Sequence, residues 1–269
     1  MMIACSRMYN VVPEAAAAWR TIFEWAASRA GVKLEVIDHA APAPLDDLWA
    51  RDDMGCVFMC GWPWAMAAPR PRLIAAPVPA PPRYGGRAVY FTDLVVRADS
   101  AFETLADTFG GRIAWTIESS HSGYNALRHH LLRYRTAARP MLYGESIGPL
   151  VSPIRALQSV IDGTADVAPL DSLCLDLLRR HAPERVAALR VIETTEAAPA
   201  PPLVASPDAD PEDCARLTRA LFSAHEDAAL GPALDQALIE RFVAVAPESY
   251  DVTIARANEA IEAGYPQPG

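Results

Sequence analysis

The sequence predicts an α/β chain that folds into two lobes, each with a sheet flanked by helices. Short apolar runs alternate with amphipathic segments along the chain, which is the pattern of sheets with helices on their faces. Two extended stretches, near residues 88–96 and 194–204, are candidate hinge crossings between the lobes. We therefore expect a discontinuous first lobe of residues 1–92 and 200–269, and a second lobe of residues 93–199.

Composition supports a folded chain and excludes two classes of partner. The 269 residues are 51% hydrophobic, which is enough for a substantial core and too apolar for disorder. The net charge is −9, and there is no basic run of the kind that nucleic-acid binding requires. No apolar stretch reaches the ~18 residues that a membrane span needs.

The first lobe begins with a strand, a long helix and three further strands. The helix is predicted from Pro13 at its start, Gly31 at its end, and an apolar face that includes Trp19 and Phe23. The proline-rich stretch 69–82 is interpreted as a stiff surface loop that contains the last strand. The predicted elements are the strands Ile3–Ser6, Val32–Ile37, Cys56–Met59 and Leu73–Val78, the helix Ala15–Ala30 and a helical turn at Leu45–Trp49.

The second lobe repeats the alternation of strands and helices. We predict strands at Arg112–Thr116, at Ala165–Leu170 and within Val186–Glu193, and helices at Phe102–Phe109, Asn125–Arg135, Pro153–Gly163 and Leu173–His181. The tail is predicted to form three helices, Pro211–Ala224, Pro232–Arg241 and Tyr250–Glu262.

The clearest candidate site is the polar turn between a predicted strand and a predicted helix. It carries Ser120, His121, Ser122 and Gly123. A helix start offers about four backbone N–H groups without an intrahelical partner, together with a partial positive charge, and both attract anions. Serine hydroxyls there either cap the helix or donate to a bound oxyanion, and both roles stay open.

Three more candidates lie at the carboxyl ends of predicted strands, the edge at which α/β sheets bind ligands. Tyr9 follows the first strand, Trp62 follows the strand that ends near Met59, and Asp171 ends the strand near Leu170. Trp62 either walls a pocket or packs in the core. Asp171 either accepts from a ligand or caps the next helix.

Sequence signals for catalysis, cofactors and metals are missing. The Gly-x-Ser-x-Gly pattern of a nucleophile elbow does not occur, nor do the glycine-rich phosphate and dinucleotide loops. The five cysteines form neither a zinc set nor a disulfide framework. We expect no catalytic residue, no cofactor and no metal.

Taken in order, four segments resemble the PhnD-like solute-binding proteins of ABC transporters for phosphate, phosphite and phosphonate. They are Met8-Tyr9, Cys60-Gly-Trp-Pro63, Glu118-Ser-Ser-His-Ser-Gly-Tyr-Asn-Ala-Leu-Arg128 and Gly163-Thr-Ala-Asp-Val-Ala-Pro-Leu-Asp171. A late Ser249-Tyr-Asp251 also fits. Where family members often carry Gly-Ser-His, this chain has Val151-Ser-Pro-Ile154.

The resemblance implies a type II periplasmic-binding-protein fold that holds a small anionic ligand in a cleft between the lobes. Ser120 and Ser122, with the amides of His121, Ser122 and Gly123, would hold the oxyanion. Tyr9 and Trp62 would line one wall and Asp171 the other. The resemblance further implies an ABC transporter permease as partner and a monomer.

Location and activity keep alternatives at this stage. The resemblance implies a periplasmic protein, but no basic segment or apolar stretch precedes Cys5, so a cytoplasmic location stays open. A cytoplasmic enzyme of cofactor metabolism on the same fold, and a ligand-sensing module, are the alternative functions.

Overall fold

The computed structural model describes all 269 residues and contains ten α-helices joined by short 3-10 turns and one π-helical turn. No helix combines the length and apolar character that crossing a bilayer requires. The helices are α1 (Pro13–Ala30), α2 (Leu45–Trp49), α3 (Gly61–Met66), α4 (Ala126–Leu131), α5 (Pro153–Ile161), α6 (Ser172–His181), α7 (Pro183–Val186), α8 (Pro211–Phe222), α9 (Gly231–Gln236) and α10 (Asp251–Glu262).

Thirteen strands form four sheets. They are β1 (Met2–Cys5), β2 (Leu34–Val36), β3 (Met54–Phe58), β4 (Arg72–Pro79), β5 (Val89–Tyr90), β6 (Thr92–Arg97), β7 (Arg112–Ala114), β8 (Glu145–Ile147), β9 (Ala168–Asp171), β10 (Leu189–Thr194), β11 (Ala198–Pro199), β12 (Leu203–Ala205) and β13 (Ile239–Val243).

The first unit comprises Met1–Val89 and Pro199–Tyr250. Its six-stranded sheet has the order β13-β4-β12-β3-β1-β2, with β1 parallel to both neighbours and the other pairs antiparallel. An aromatic cluster packs beside this sheet: the Phe58 ring lies 4.9 Å from Tyr9 and 4.8 Å from Trp19, both edge-on. Such pairs add stability beyond the area that they bury.

The second unit comprises Tyr90–Ala198 and Asp251–Gly269. Its main sheet has the order β10-β6-β9, and β7 pairs in parallel with β8. A single parallel bridge joins Ile113 of β7 to Val167, the residue just before β9. The core residues are Leu94, Val96, Leu105, Ile113, Leu127, Leu131, Leu142, Tyr143, Val167 and Tyr265.

The tail departs from the predicted lobe boundary. Residues 251–269 belong to the second unit, although the sequence analysis placed them in the first. The reason is packing: Tyr265 is fully buried in the second unit's core, and its hydroxyl bonds with the backbone of Gly269. The connecting strands β5 and β11 pair with each other. The expected cleft between lobes stays a prediction.

Two predicted elements are different in the structure. Phe102–Phe109 is helical only as a 3-10 turn, Leu105–Thr108, which Thr104 and Asp107 close as a reciprocal capping box. The segment Pro232–Arg241 is not one helix. Helix α9 ends at Gln236, and β13 follows after Leu238, whose φ of 56° stops the helix.

Candidate functional site

The Ser-rich turn forms the start of α4 in the second unit. After β7 the chain passes through a polar segment into a π-helical turn, His121–Asn125, that leads directly into the helix. The Ser120 Oγ accepts from the Gly123 N–H at 2.9 Å, so this serine caps the turn. The first intrahelical bond is donated by the Asn125 N–H to the Ser120 carbonyl at 3.1 Å. The amide of Ser122 therefore precedes the bonded part of the helix.

The side-chain hydroxyl of Ser122 has no hydrogen-bond partner within the protein. The residue is 8% exposed, and its Oγ makes no hydrogen bond within the chain. Its carbonyl accepts from the Thr92 Oγ1 at 2.9 Å, which fixes the backbone while the side chain stays available. The hydroxyl proton of Ser122 is therefore available to an oxygen of a ligand.

Gly123 is required for a close approach rather than for an unusual φ. A Cβ at this position would lie 1.9 Å from the Thr116 Oγ1 and 2.9 Å from its Cβ. The Thr116 N–H donates to the Gly123 carbonyl at 3.2 Å, so the two backbones are tied together. Thr116 is 5% exposed, and its Oγ1 is buried without a hydrogen-bond partner. Two hydroxyls at the same turn, those of Ser122 and Thr116, thus lack protein partners.

Asp171 lies beside the turn through β6. Thr92 of β6 is the register partner of Asp171 in β9, and the same Thr92 binds the Ser122 carbonyl. The Asp171 Oδ1 accepts from the N–H groups of Leu173 at 2.9 Å and Cys174 at 3.2 Å. The capping role that the sequence left open for Asp171 is therefore confirmed, and its contact with a ligand stays a prediction.

Asn125 and Arg128 stabilise the turn through side-chain hydrogen bonds. The Asn125 Nδ2 donates to the carbonyls of Glu118 and Ser120, both at 3.2 Å. The Asn125 Oδ1 accepts from the Arg128 guanidinium, which is 4% exposed. Sequence reasoning assigned no role to Thr92, Thr116 or Asn125. Asn125 lay within the resemblance motif, and this was the one signal that could have found it.

The two predicted site residues of the first unit have different environments. Tyr9 ends a 3-10 turn, and its ring is 1% exposed in the aromatic cluster, so it is mainly a core residue. Trp62 is half-buried on α3, the short helix that follows β3. The structure thus places Ser120, His121, Ser122, Gly123 and Asp171 in one unit, and Tyr9 and Trp62 in the other.

His121 is a fully buried imidazole on the turn. It is 1% exposed, and its ring centroid lies 6.2 Å from that of Tyr90. Burial, with smaller contributions from the positive charges of Arg256 and His129, lowers the pKa of His121 from 6.5 to about 3. His121 is therefore neutral across the physiological range, and it adds no positive charge for an anion.

The depressed pKa of His121 predicts an acid sensitivity of the fold. Between pH 6.5 and about 3 the unfolded chain binds a proton at His121 that the folded chain does not, so stability is present above this window and falls as pH is lowered through it. We expect His121→Gln to lose less stability than wild type between neutral pH and the middle of this window, measured by urea unfolding. The exposed His225→Gln is the control, and equal losses in all three proteins would contradict the assignment.

Two α/β units linked by paired extended segments form the architecture of solute-binding proteins with two lobes, and the second unit of this chain also has a capped helix start. Within that class, the chain belongs to the family described as ABC transporter, phosphonate, periplasmic substrate-binding protein, whose sequence model matches residues 11–250. The predicted family, the fold class and the role in ligand binding for transport are confirmed, and the family is a substrate-binding component rather than an enzyme. No curated protein matches the chain.

Solved structures show the same fold at low identity. A binding protein component of an ABC phosphonate transporter from Pseudomonas aeruginosa is 16% identical with a TM-score of 0.81, over 98% of this chain and 88% of that one. A PhnD protein from Prochlorococcus marinus in complex with methylphosphonate is 14% identical with a TM-score of 0.79, over 97% and 98%. A histidine kinase sensor domain with similarity to periplasmic binding proteins is 16% identical with a TM-score of 0.57, over 90% and 97%.

Proposed function

We propose that this chain binds a phosphonate- or phosphate-type oxyanion at the turn Ser120–Gly123 and delivers it, as a periplasmic monomer, to an ABC transporter permease. The observation that carries the proposal is that two hydroxyls beside a helix start, Ser122 Oγ and the buried Thr116 Oγ1, have no hydrogen-bond partner within the protein. Family membership supports the transport role, and the methylphosphonate complex of the Prochlorococcus marinus protein supports the ligand class.

The donors at this turn are neutral. The Ser122 N–H, the Ser122 hydroxyl and the Thr116 hydroxyl can each donate to an oxyanion. The Ser120 oxygen accepts from the Gly123 N–H, so the hydrogen of its hydroxyl is also still available for donation. Hydrogen bonds to a charged acceptor are shorter and stronger than those between neutral groups. The ligand is therefore held by hydrogen bonds rather than by ion pairs at this turn.

Replacing the two serines separates binding from capping. We expect Ser122→Ala to weaken binding of methylphosphonate or phosphate by roughly tenfold or more, because a hydrogen bond to a charged group contributes about 1.5–3 kcal/mol. Its thermal stability without ligand should not change, since Ser122 Oγ bonds to nothing in the protein. Ser120→Ala should instead lower stability by about 1 kcal/mol, the usual cost of a lost cap. Calorimetric titration and thermal unfolding measure both effects. Unchanged affinity in both variants would overturn the proposed site.

The carboxylate of Asp171 gives a test of ligand chemistry. Asn caps a helix as well as Asp, so Asp171→Asn should keep α6 in place while removing a negative charge. We expect this variant to bind methylphosphonate more tightly and aminoethylphosphonate more weakly than wild type, because the carboxylate repels the oxyanion and attracts an ammonium group. Both affinities are measured by calorimetry.

Asp210→Asn is the matched control for this charge effect. Asp210 caps α8 in the same way, accepting from the N–H groups of Glu212 and Asp213, and it belongs to the first unit. This variant should leave both affinities unchanged. If Asp171→Asn shifted the two ligands in the same direction, Asp171 would not face the ligand's variable group.

A further inference from the structure

A second, separate site lies in the first unit, where α1 and α8 end side by side. A cavity of about 240 Å³ opens there between the two helices. Its lining, which we call the arginine pocket, consists of Arg29, Ala30, Arg216, Arg219, Ala220 and Ser223. Half of these residues are arginines in a chain whose net charge is −9, and none of the six is acidic.

Two guanidiniums of the arginine pocket have unused hydrogen-bonding capacity. Neither Arg29 nor Arg219 forms a hydrogen bond or ion pair within the chain. The carboxylate whose charge reaches Arg29 is that of Asp227, and its oxygens already accept from the Trp25 Nε1 at 2.8 Å and the Ala229 N–H at 2.9 Å. The ten N–H donors that two arginines carry are thus left to solvent or to a ligand.

The third arginine is fixed in place by its own helix. The Arg216 guanidinium pairs with Asp213 and with Glu212 one turn earlier on α8. Its Nε, in contrast, is buried and has no hydrogen-bond partner. A buried N–H without an acceptor costs free energy, and a bound anion would supply one.

A structural role at the helix ends explains only part of this arrangement. Arg29 and Arg219 lie in the last turns of α1 and α8, where a cation offsets the partial negative charge of the carbonyl end. Arg29 and Arg219 are both exposed, and that role needs only one basic side chain per helix. It does not account for the third arginine at the same cavity, Arg216, whose Nε is buried without an acceptor.

We infer that the arginine pocket is a second anion site, which binds a phosphate-type oxyanion, either free or as the terminal group of a phosphomonoester. Guanidinium forks bind phosphate oxygens in pairs, and a phosphate-type oxyanion has enough oxygens to engage two forks at once. This site is independent of the turn Ser120–Gly123, which belongs to the other unit.

The test follows backbone amide signals of Ala30, Ala220 and Ser223 by NMR while inorganic phosphate is added at constant ionic strength. Ser122→Ala serves as the background, so that binding at the first site does not dominate. We expect a saturable shift of these signals that chloride does not produce. In the double variant Arg29→Gln/Arg219→Gln the apparent affinity should fall by at least tenfold. The absence of saturation, an equal shift with chloride, or an unchanged affinity in the double variant would overturn the inference.

Two controls keep the result interpretable. Arg20→Gln on the same helix removes an exposed guanidinium that pairs with Asp38, and it should leave the shift unchanged. Arg29→Lys/Arg219→Lys keeps the charge at both helix ends but removes the forks, so it should unfold like wild type and still bind more weakly. A parallel titration with glycerol phosphate assigns the source: tighter binding than inorganic phosphate identifies a phosphomonoester, and weaker binding identifies the free ion.

Discussion

Gly123→Ala is expected to abolish oxyanion binding and to lower the free energy of unfolding by about 3 kcal/mol, the upper part of the usual range for overpacking. The new methyl group would lie 1.9 Å, 2.9 Å and 3.0 Å from the Oγ1, Cβ and Cγ2 of Thr116. Rotating the threonine side chain moves its Oγ1 but not its Cβ. Thr116 cannot retreat as a whole, because its N–H and its carbonyl bond with Gly123 and Val151. Calorimetry with methylphosphonate and urea unfolding measure the two losses.

Gly231→Ala is the matched control for Gly123→Ala. A Cβ at Gly231 meets nothing within 4 Å, and its φ is not in the left-handed region, so this substitution should cost no stability. The clash itself is tested by Gly123→Ala/Thr116→Ala, which removes the 1.9 Å contact and leaves the one at 2.9 Å. The double variant should recover part of the stability that Gly123→Ala loses, since contacting residues are energetically coupled. A purely additive result would mean that Thr116 is not what excludes the methyl group.

Local sequence signals were sufficient for elements whose structure is determined by residues close to them in the sequence. Helix α1 was predicted from Pro13 and Gly31, and the structure begins it at Pro13 and ends it with Gly31 at a φ of 64°. Both signals act through backbone geometry within one turn of the helix end, so no tertiary information was needed. The start of α4 was predicted for the same reason, because Ser120 caps within its own turn.

Tertiary pairing decided the elements that were predicted incorrectly. Residues 239–243 have helix-compatible spacing, yet they form β13 because β4 offers an edge to pair with. The strand predicted within the proline-rich stretch is confirmed as β4, and it extends by one residue at each end, to Arg72 and Pro79. Its prolines are tolerated because β12 pairs with β4 over residues 72–75 and β13 over residues 76–79, so Pro77 and Pro79 each have a neighbour on one side only.

The candidate site shows the same division between local and long-range information. The cap at Ser120 and the cap at Asp171 were readable from their places before a helix. Thr92 was not, because it reaches Ser122 across 30 positions of sequence. Tyr9 was a candidate because of its place after β1, and the structure buries its ring in the aromatic cluster, while its contact with a ligand stays a prediction. A residue's position after a strand does not reveal how deeply its side chain is buried.

Arg128→Met is expected to lower the free energy of unfolding by about 3 kcal/mol, since each hydrogen bond from a charged donor contributes roughly 1.5–3 kcal/mol. The guanidinium donates to the Asn125 Oδ1 and, at 2.9 Å, to the Pro266 carbonyl, and its centre lies 4.6 Å from the Tyr124 ring centroid. Burial lowers the pKa of Arg128 from its ordinary value. These partners therefore stabilise the charged guanidinium in its buried position. Methionine has a side chain of similar length but cannot make these contacts.

The same substitution is expected to weaken oxyanion binding by roughly tenfold, although Arg128 does not contact the ligand. Asn125 needs the guanidinium on its Oδ1 to keep its Nδ2 on the Glu118 and Ser120 carbonyls, and those bonds hold the turn. Arg135→Met is the control: Arg135 lies 4.5 Å from the Tyr265 ring centroid and donates to the carbonyls of Pro140 at 2.6 Å, Ala263 at 2.7 Å and Gly264 at 3.4 Å, but these bonds are solvent-exposed and do not reach the turn. It should cost less stability than Arg128→Met, because hydrogen bonds exposed to water contribute less than buried ones, and it should leave affinity unchanged. If Arg128→Met lost stability but kept full affinity, Arg128 would anchor the tail without positioning the turn.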